Sequence, residues 1–169
     1  MAPIVEILNR SHNKEKFACG SEELNRYLKL QAKQDMEKFI SVAYVAYDYE
    51  MNDIMGYYTL SASSVDLGKL PEDIIKKLPK YPIIPTTLLG RLAISENYQK
   101  QGLGEYLLMD AIRKVHTCGV GNFALVVDAK NDNAKKFYEK YDFQPFIDNP
   151  LKLFLTMKKI RKLFQDLAK

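Results

Sequence analysis

Apolar side chains in the first quarter of the chain follow two patterns, one typical of a strand and one of a helix. Residues 4–8 form a short apolar stretch that predicts the first strand of a sheet. Between residues 21 and 38, apolar side chains recur at helical spacing. Ser21 precedes two glutamates, which suit the positive end of a helix dipole. We therefore expect a helix over residues 21–38, with at most one break.

A strand pair is predicted after this helix. Residues 41–48 and 54–62 are rich in β-favouring side chains and flank a polar turn at residues 49–53, which predicts two antiparallel strands. Residues 71–77 predict a short helix that begins at a proline, where proline is tolerated. Residues 79–85 contain three prolines. Because proline cannot donate a hydrogen bond to a neighbouring strand, we expect this segment to run over the surface and not to form a central strand.

The second half of the chain alternates strand and helix patterns. Strands are predicted at residues 86–94, 123–127 and 151–157, and helices at residues 102–117, 133–141 and 158–168. Residues 123–127 are all apolar, as expected of a parallel strand buried on both faces. This order of elements predicts an α/β fold in one domain over residues 1–169, with a mixed central sheet flanked by helices on both faces.

The composition fits an ordinary globular protein. Of the 169 residues, 47% are hydrophobic and 27% are charged. No apolar run approaches the roughly 20 residues that cross a bilayer, and residues 1–6 lack the basic and apolar regions of a signal peptide. We therefore expect a cytoplasmic protein with no membrane partner. The net charge of +4 fits an anionic ligand or partner but does not establish one.

Cysteine and histidine are scarce and do not cluster. Cys19, Cys118, His12 and His116 show no metal-ligand spacing. Catalysis by these residue types requires paired partners, so we expect all four to be structural or surface residues. The sequence thus disfavours a zinc enzyme and a Ser-His-Asp hydrolase, and no metal is expected.

Residues 88–105 form the most informative segment, in which a predicted buried strand leads through a glycine-containing turn into a helix. Glycines at a helix start let a ligand approach the backbone, and the free N–H groups of the first turn attract an anion. The segment lacks the P-loop pattern, and no dinucleotide-binding glycine motif follows the first strand. Two interpretations remain: a site for an anion such as the pyrophosphate of coenzyme A, or glycines that only allow tight helix packing.

A second block, residues 128–143, decides between these interpretations. Together the two blocks resemble the GNAT acetyltransferases, and the resemblance covers residues 17–157. The family motifs Q/R-x-x-G-x-G/A and N-x-x-A-x-x-F/L-Y are matched by Gln99, Gly102, Gly104, Asn131, Ala134, Phe137 and Tyr138. The family's glycine before the final phenylalanine is replaced by Asp142. Aspartate can adopt the left-handed conformation that glycine supplies at such a turn, so the fold should be unaffected.

The resemblance implies an acetyl-CoA-dependent N-acetyltransferase with a mostly antiparallel sheet. It implies that Tyr138 protonates the leaving sulfur, since a phenol with a pKa of about 10 is protonated at neutral pH. The alternative is that Tyr138 only packs between helix and sheet. The cofactor-binding residues that the resemblance implies are Leu92, Ala93, Ile94, Gln99, Lys100, Gln101, Gly102, Leu103, Gly104, Glu105, Asn131, Asn133 and Phe137.

A narrower resemblance, to the GNAT toxins of bacterial toxin–antitoxin pairs, rests on residues 17–20, 24–28, 56–61 and 89–93. It implies acetylation of the α-amine of aminoacyl-tRNA and inhibition by a ribbon-helix-helix antitoxin. One alternative is a GNAT enzyme acting on a small-molecule amine or a protein N-terminus, and another is a non-catalytic acyl-CoA-binding module. A homodimer is also expected.

The chain offers no obvious general base. Asp128 follows a predicted strand, but it is equally suited to capping the next turn. A lysine side chain, with a pKa of about 10.4, would need a base at neutral pH, whereas an α-amine, at about 7.7–8.0, is already partly neutral. The absence of a base therefore favours an α-amine acceptor.

An RNA acceptor would need cationic residues for its phosphates. Arg91 lies in an otherwise apolar strand, where we expect it to bind either a ligand phosphate or an internal carboxylate. Lys29 and Lys33 on the first predicted helix are candidate substrate-binding residues, with a solvated helix face as the alternative. Further basic candidates are Lys38, Lys76, Lys77, Lys80, Lys158, Lys159, Arg161 and Lys162.

Overall fold

The computed structural model describes residues 3–169. Met1 and Ala2, which belong to the stretch searched for a signal peptide, lie outside the described residues. In chain order the elements are β1 (Ile4–Ile7), α1 (Glu22–Arg26), α2 (Ala32–Glu37), β2 (Val42–Asp48), β3 (Asp53–Asp66), α3 (Glu72–Ile75), β4 (Ile83–Ile94), α4 (Leu103–Thr117), β5 (Ala124–Asp128), α5 (Asp132–Glu139), β6 (Gln144–Pro145), β7 (Lys152–Thr156) and α6 (Met157–Leu167).

The strands form one seven-stranded sheet in the order β1-β2-β3-β4-β5-β7-β6. The β1–β2 and β2–β3 pairs are antiparallel, and a bulge between Ala46 and Tyr47 interrupts the second pair. On the other side of the sheet, β7 pairs antiparallel with both β5 and β6. The predicted α/β class, with a mixed and mostly antiparallel sheet, is confirmed.

The predicted helix over residues 21–38 is present with one irregularity. Ser21 caps α1, because its hydroxyl accepts a hydrogen bond from the Leu24 N–H at 3.4 Å. A π-helical turn, Tyr27–Gln31, then joins α1 to α2. Such turns insert an extra residue into a helix and are frequent at functional sites.

The sequence-based boundaries are wrong at the proline-rich segment. Strand β4 begins at Ile83 and contains Pro85, whereas this stretch was expected to be a surface connection. The physical reason is that proline lacks only the donor: the carbonyl of Pro85 accepts a 2.8 Å hydrogen bond from the N–H of Phe123. Strand β3 also extends beyond its predicted end to Asp66, and the short β6 was not predicted.

The described residues divide into two compact units, each with its own core. The first comprises the chain up to Ser61 together with Leu89–Arg113, and the second comprises Ala62–Leu88 and Lys114–Lys169. The core of the first unit is formed by side chains that include Phe17, Tyr27, Leu28, Val45, Ile54, Tyr57 and Ala93. The core of the second includes Val65, Leu70, Ile84, Ala124, Val126, Phe146 and Phe154.

Candidate active site

The predicted phosphate turn starts at the end of strand β4, which is fastened to its neighbours. The N–H of buried Ser95 donates to the carbonyl of Met55 at 2.9 Å, and the N–H of Glu96 donates to the carbonyl of Ala18 at 2.7 Å. The turn therefore starts from a fixed point, with the segment before α1 on one side and β3 on another.

Gln99 holds this turn from within. Its side-chain amide donates to the carbonyl of Ile94 at 2.8 Å and to the carbonyl of Cys19 at 3.1 Å. The sequence placed Gln99 among the cofactor-binding residues, yet both of its side-chain donors are engaged inside the protein. Its side chain therefore shapes the turn.

The backbone of the turn is concave and open. Lys100 and Gly102 both have left-handed backbones, with φ of 61° and 82°. Alternation of this kind turns successive N–H groups toward one point, which favours an anion. A Cβ at Gly102 would meet no atom within 4 Å, so the space in front of the backbone is clear. The turn thus fits a phosphate group.

Helix α4 begins directly after the turn, at Leu103. The first N–H groups of a helix have no partner within the helix and carry its positive dipole end. Leu103 is buried, Gly104 is half-buried and Glu105 is exposed. Because the Glu105 carboxylate would repel an anion, only its backbone N–H suits the predicted role. A cleft of about 220 Å³ beside the turn is lined by side chains that include Met55, Tyr98, Gln101 and Tyr106.

The last residues of β4 lie against a glycine of β3. Ala93 is buried, and Leu92 and Ile94 are half-buried. A Cβ at Gly56 would lie 2.9 Å from the Ala93 carbonyl oxygen and 2.8 Å from Cδ1 of Ile94. Gly56 therefore permits the close approach of β3 to the segment predicted to lie beside the thioester.

The second predicted block forms α5 and its surroundings. Asn131 is the N-cap of α5: its side-chain oxygen accepts a 2.9 Å hydrogen bond from the N–H of Ala134. Asn133 is exposed and Phe137 is half-buried. The side chain of Asn131 therefore has a structural partner, while Asn133 is free to face solvent.

Tyr138 is enclosed by aromatic rings. It is 7% exposed, and its ring centroid lies 5.3 Å from that of Phe137 and 5.4 Å from that of Phe143. Burial raises the pKa of the Tyr138 hydroxyl well above its ordinary value of about 10. The Tyr138 hydroxyl is therefore protonated at neutral pH.

The left-handed conformation expected of Asp142 is confirmed by its φ of 70°.

Arg91 has an aromatic partner. Its guanidinium carbon lies 3.4 Å from the ring centroid of Tyr27. Within the described residues no carboxylate forms an ion pair with Arg91, although its charge contributes to lowering the pKa of Asp35. Lys29 is half-buried on the π-helical turn. Lys33 is exposed, and its Nζ lies 3.8 Å from Oε1 of Glu37. Sequence reasoning gave Tyr27 no role in the site, although it lies in the stretch 24–28 that resembles the toxins, because Tyr27 meets Arg91 only in the folded chain.

The histidines have structural partners. Nδ1 of buried His12 accepts from the N–H of Asn9 at 3.0 Å, so Nε2 carries the proton donated to Glu6 at 2.8 Å. The His116 ring stacks on that of Phe164, with 4.7 Å between the ring centroids.

In the range 3–169 no group of three His, Cys, Asp or Glu side chains is arranged to hold a metal. In the same range, no helix has the length and apolarity to span a bilayer.

Comparison with known proteins identifies the family. A family model described as an acetyltransferase (GNAT) domain matches residues 83–157. The tRNA-acetylating toxin of Mycobacterium tuberculosis (strain ATCC 25618 / H37Rv) is 32% identical over 152 residues, which cover 89% of each chain. This chain belongs to the GNAT acetyltransferase family. The GNAT match includes the phosphate turn, Asn131 and Tyr138.

Two solved structures extend the comparison of this GNAT enzyme over nearly its whole length. AtaT complexed with acetyl-methionyl-tRNAfMet is 34% identical, with a TM-score of 0.90, covering 96% of this chain and 99% of AtaT. A tyrosine-to-phenylalanine mutant of the AtaT toxin, bound to the C-terminus of the antitoxin AtaR and to acetyl-CoA, is 30% identical, with a TM-score of 0.81, covering 98% and 99%. The GNAT assignment and the narrower resemblance to tRNA-acetylating toxins are confirmed, and the chain is an N-acetyltransferase.

Proposed function

We propose that this GNAT enzyme is a toxin that acetylates the α-amine of aminoacyl-tRNA, with acetyl-CoA as the donor. The observation that carries the proposal is the similarity to AtaT, whose structure contains a charged tRNA with an acetylated methionyl group. The relative from Mycobacterium tuberculosis, described as tRNA-acetylating, supports the same substrate class.

The concave turn supplies the donor's binding site in this proposal. The backbone N–H groups of Lys100, Gln101, Gly102, Leu103, Gly104 and Glu105 hold the pyrophosphate, whereas the N–H of Gln99 donates to the carbonyl of Glu96 at 3.4 Å and Gln99 acts by shaping the turn. The left-handed residues in the turn and the helix dipole behind it support this role. Backbone groups of Leu92, Ala93 and Ile94 orient the acyl carbonyl. Asn131, Asn133 and Phe137 are further proposed cofactor-binding residues. Acetyl-CoA supplies the activated acetyl group as a thioester.

Tyr138 is the proposed general acid. Its hydroxyl holds the proton that the departing sulfur requires, and burial keeps that proton bound at neutral pH. Burial also excludes water from this hydroxyl, which strengthens its hydrogen bond to the negative charge that develops on the departing sulfur. The tyrosine-to-phenylalanine substitution in the AtaT structure supports the choice of this residue type.

The acceptor amine needs no strong base in this scheme. An α-amine with a pKa of about 7.7–8.0 is partly neutral at physiological pH. A lysine side chain is not, so a protein lysine is a poorer acceptor for this site. The same reasoning applies to other α-amines, including a protein N-terminus, so the experiment must distinguish these acceptors from aminoacyl-tRNA.

Cationic residues provide the proposed contacts to RNA. Arg91, Lys29 and Lys33 lie on β4 and the first helical segment. Exposed basic side chains elsewhere add favourable charge: Lys38, Lys76, Lys77, Lys80, Lys158, Lys159, Arg161 and Lys162.

We also propose the partners that go with this function. An antitoxin inhibits the enzyme, which the antitoxin-bound structure of AtaT supports. The ribbon-helix-helix fold of this antitoxin rests on the resemblance to the GNAT toxins alone. The enzyme is a cytoplasmic homodimer. Residues 1–169 act as one catalytic domain, which is supported by a family match that runs through segments of both compact units.

The test is incubation of the purified protein with labelled acetyl-CoA and a pool of charged tRNA. We expect label on the aminoacyl group with the wild-type protein. Tyr138→Phe should reduce the rate at least tenfold, since general acid catalysis contributes roughly 10²–10⁴-fold. Tyr81→Phe is the matched control, because Tyr81 is 66% exposed and should react as the wild type does.

The outcomes separate the alternatives. Binding of acetyl-CoA without transfer to tRNA, but with transfer to a peptide N-terminus, would redirect the proposal to another α-amine. Binding without transfer to any amine would make the protein an acyl-CoA-binding module. A Tyr138→Phe variant with the wild-type rate would remove Tyr138 from the mechanism.

A further inference from the structure

Arg91 and Tyr27 form a flat stack in the first unit. The guanidinium carbon lies 3.4 Å from the centroid of the Tyr27 ring, and Tyr27 itself is only 7% exposed. At this distance the guanidinium plane lies on the aromatic face, an arrangement that arginine adopts and lysine cannot reproduce. The stack therefore restricts both the position and the orientation of the Arg91 head group.

The ring beneath Arg91 is itself held in place. The Tyr27 hydroxyl donates to Oδ2 of Asp35 at 2.7 Å and lies 3.1 Å from Oγ of Ser41. The second oxygen of Asp35 accepts a 2.9 Å hydrogen bond from the side chain of Gln31. These bonds lower the pKa of Asp35, with Gln31 contributing most. The tyrosine thus has its hydroxyl end anchored by a permanent carboxylate.

The π-helical turn explains how these groups meet. Tyr27 is its first residue and Gln31 its last, and Asp35 follows on α2. Tyr27 belongs to the same core cluster as Ala93, which lies two residues after Arg91 on the same face of β4. The stack is therefore built on rigid elements, next to the strand segment that the proposed function assigns to the acetyl group.

The edge of the guanidinium is not used by the protein. Within residues 3–169, the Arg91 side chain has no hydrogen-bond or ion-pair partner, its charge acts on Asp35 only through space, and the residue is half-buried. A charged group of this kind usually acquires a partner. A planar fork with five donors and a fixed face matches a phosphate oxygen pair better than a single point charge would. Lys29 adds a second positive charge on the same helical segment, which favours an extended polyanion over a lone anion, whereas Lys33 is paired with Glu37.

We propose that Tyr27 is a positioning residue for RNA, which holds the Arg91 guanidinium so that its free edge binds a phosphodiester of the aminoacyl-tRNA. Asp35 and Gln31 fix the tyrosine in turn. This inference rests on the proposed function. It assigns to the Tyr27–Arg91 stack the recognition of the nucleic acid and not of the amine.

The experiment compares an acceptor that contains RNA with one that does not. Charged tRNA and an amino-acid methyl ester both present an α-amine, but only the first has phosphates. Arg91→Lys and Tyr27→Leu should raise KM for charged tRNA by roughly tenfold or more, because a bidentate charge-assisted contact is lost. The kcat for charged tRNA should stay within about twofold of wild type, and so should kcat and KM for the methyl ester. Tyr27→Phe keeps the ring and should lie between wild type and Tyr27→Leu.

The salt dependence of kcat/KM for charged tRNA distinguishes a phosphate contact from a structural role, because a residue that only supports the fold would not change its slope. Each phosphate contact contributes about 0.7–0.9 to the slope of log affinity against log salt concentration. Arg91→Gln should reduce the slope of log kcat/KM for charged tRNA by roughly this amount. Arg26→Gln is the matched control, since Arg26 is exposed on α1. It should leave the slope within experimental error of wild type.

Three results would overturn the proposal. Wild-type KM and salt slope in a folded Tyr27→Leu protein would show that the stack does not serve RNA. An equal rise of KM for the methyl ester would assign the stack to the amine. If Tyr27→Leu fails to fold, an unchanged salt slope in Arg91→Gln would equally show that the stack does not bind RNA. Failure of the proposed function looks different: wild-type enzyme then acetylates the ester but no charged tRNA.

Discussion

The side-chain amide of Gln99 donates a 2.8 Å hydrogen bond to the carbonyl oxygen of Ile94. This bond closes the turn back onto the end of strand β4. A second bond, to the carbonyl of Cys19, ties the same amide to the segment before α1. The backbone shape of the turn therefore depends on a side-chain donor whose two acceptors both belong to the protein.

Gln99→Glu should weaken the binding of acetyl-CoA. The replacement puts a carboxylate oxygen where the amide nitrogen faces two carbonyl oxygens, so both bonds are lost and replaced by repulsion. We expect the dissociation constant, measured by calorimetry, to rise at least tenfold, since the turn loses two hydrogen bonds that are each worth about 0.5–1.5 kcal/mol.

Gln101→Glu is the control for charge. It adds the same negative charge to the same turn, but the Gln101 amide makes a 3.2 Å bond to the carbonyl of Asn97 at the exposed surface. Equal losses of acetyl-CoA affinity in the two variants would show that the added charge, and not the loss of the two Gln99 hydrogen bonds, explains the effect.

Gly56→Ala should destabilise the first unit by about 1–3 kcal/mol, as overpacking does elsewhere. The new Cβ would lie 2.9 Å from the backbone oxygen of Ala93, which cannot move without bending β4. Chemical denaturation measures the loss. Gly68→Ala is the matched substitution, because its Cβ meets nothing within 4 Å. A stability of Gly56→Ala equal to that of Gly68→Ala contradicts the argument.

Phe39→Gly should stabilise the protein. Phe39 follows α2 with a left-handed φ of 60° and a 94% exposed ring. Its N–H bonds to the Met36 carbonyl and the next N–H to that of Asp35, a helix ending in which glycine is the usual residue. Relief of the left-handed strain, less the extra chain entropy of glycine, predicts a gain of about 0.5–1 kcal/mol.

The melting temperature should rise by about 1–4 °C for this gain in a protein of this size. Phe39→Ala separates strain from exposure, because alanine removes the ring but keeps the Cβ. It should show no gain. A gain in the alanine variant as large as in the glycine variant would mean that strain is not the cause.

Stability should fall steeply above pH 10. Burial raises the pKa of Tyr57, Tyr58 and Tyr138 in the folded state, and Asp110 adds to the effect at Tyr58 through a 2.6 Å hydrogen bond. In the unfolded chain these phenols lose their protons near pH 10, whereas the folded chain keeps them. Unfolding then releases protons, so each tyrosine lowers the free energy of unfolding by about 1.4 kcal/mol per pH unit.

Urea unfolding at a series of pH values from 8 to 11.5 measures this slope. The stabilisation is fully present below pH 10 and is lost as the pH rises toward the folded pKa values. Tyr58→Phe removes one titrating group and should make the slope shallower, although its loss of the Asp110 bond lowers stability at every pH. A flat profile through pH 11 would show that these hydroxyls ionise in the folded protein.

The sequence identified the parts of the site that consist of local backbone geometry. Ser21 was readable as the start of a helix, and it caps α1 in the structure. The glycine turn before α4 and the tyrosine in the second block were recognisable because their residues lie within a few positions of each other. Local hydrogen bonds and φ preferences depend on neighbours in the chain, so a pattern in the sequence can encode them.

Only the tertiary structure decided which distant groups meet. Pro85 entered strand β4 because its carbonyl faces the N–H of Phe123, a contact that no proline rule anticipates. The Arg91 guanidinium lies over the Tyr27 ring, and the side-chain amide of Gln99 donates to the carbonyl of Cys19. These contacts depend on how strands and helices dock, which is set by the packing of many side chains together. The sequence by itself determined the family and the position of the turn, and it predicted Tyr138 as the acid. The fold determined which residues orient these parts, because orientation comes from contacts between segments far apart in the chain.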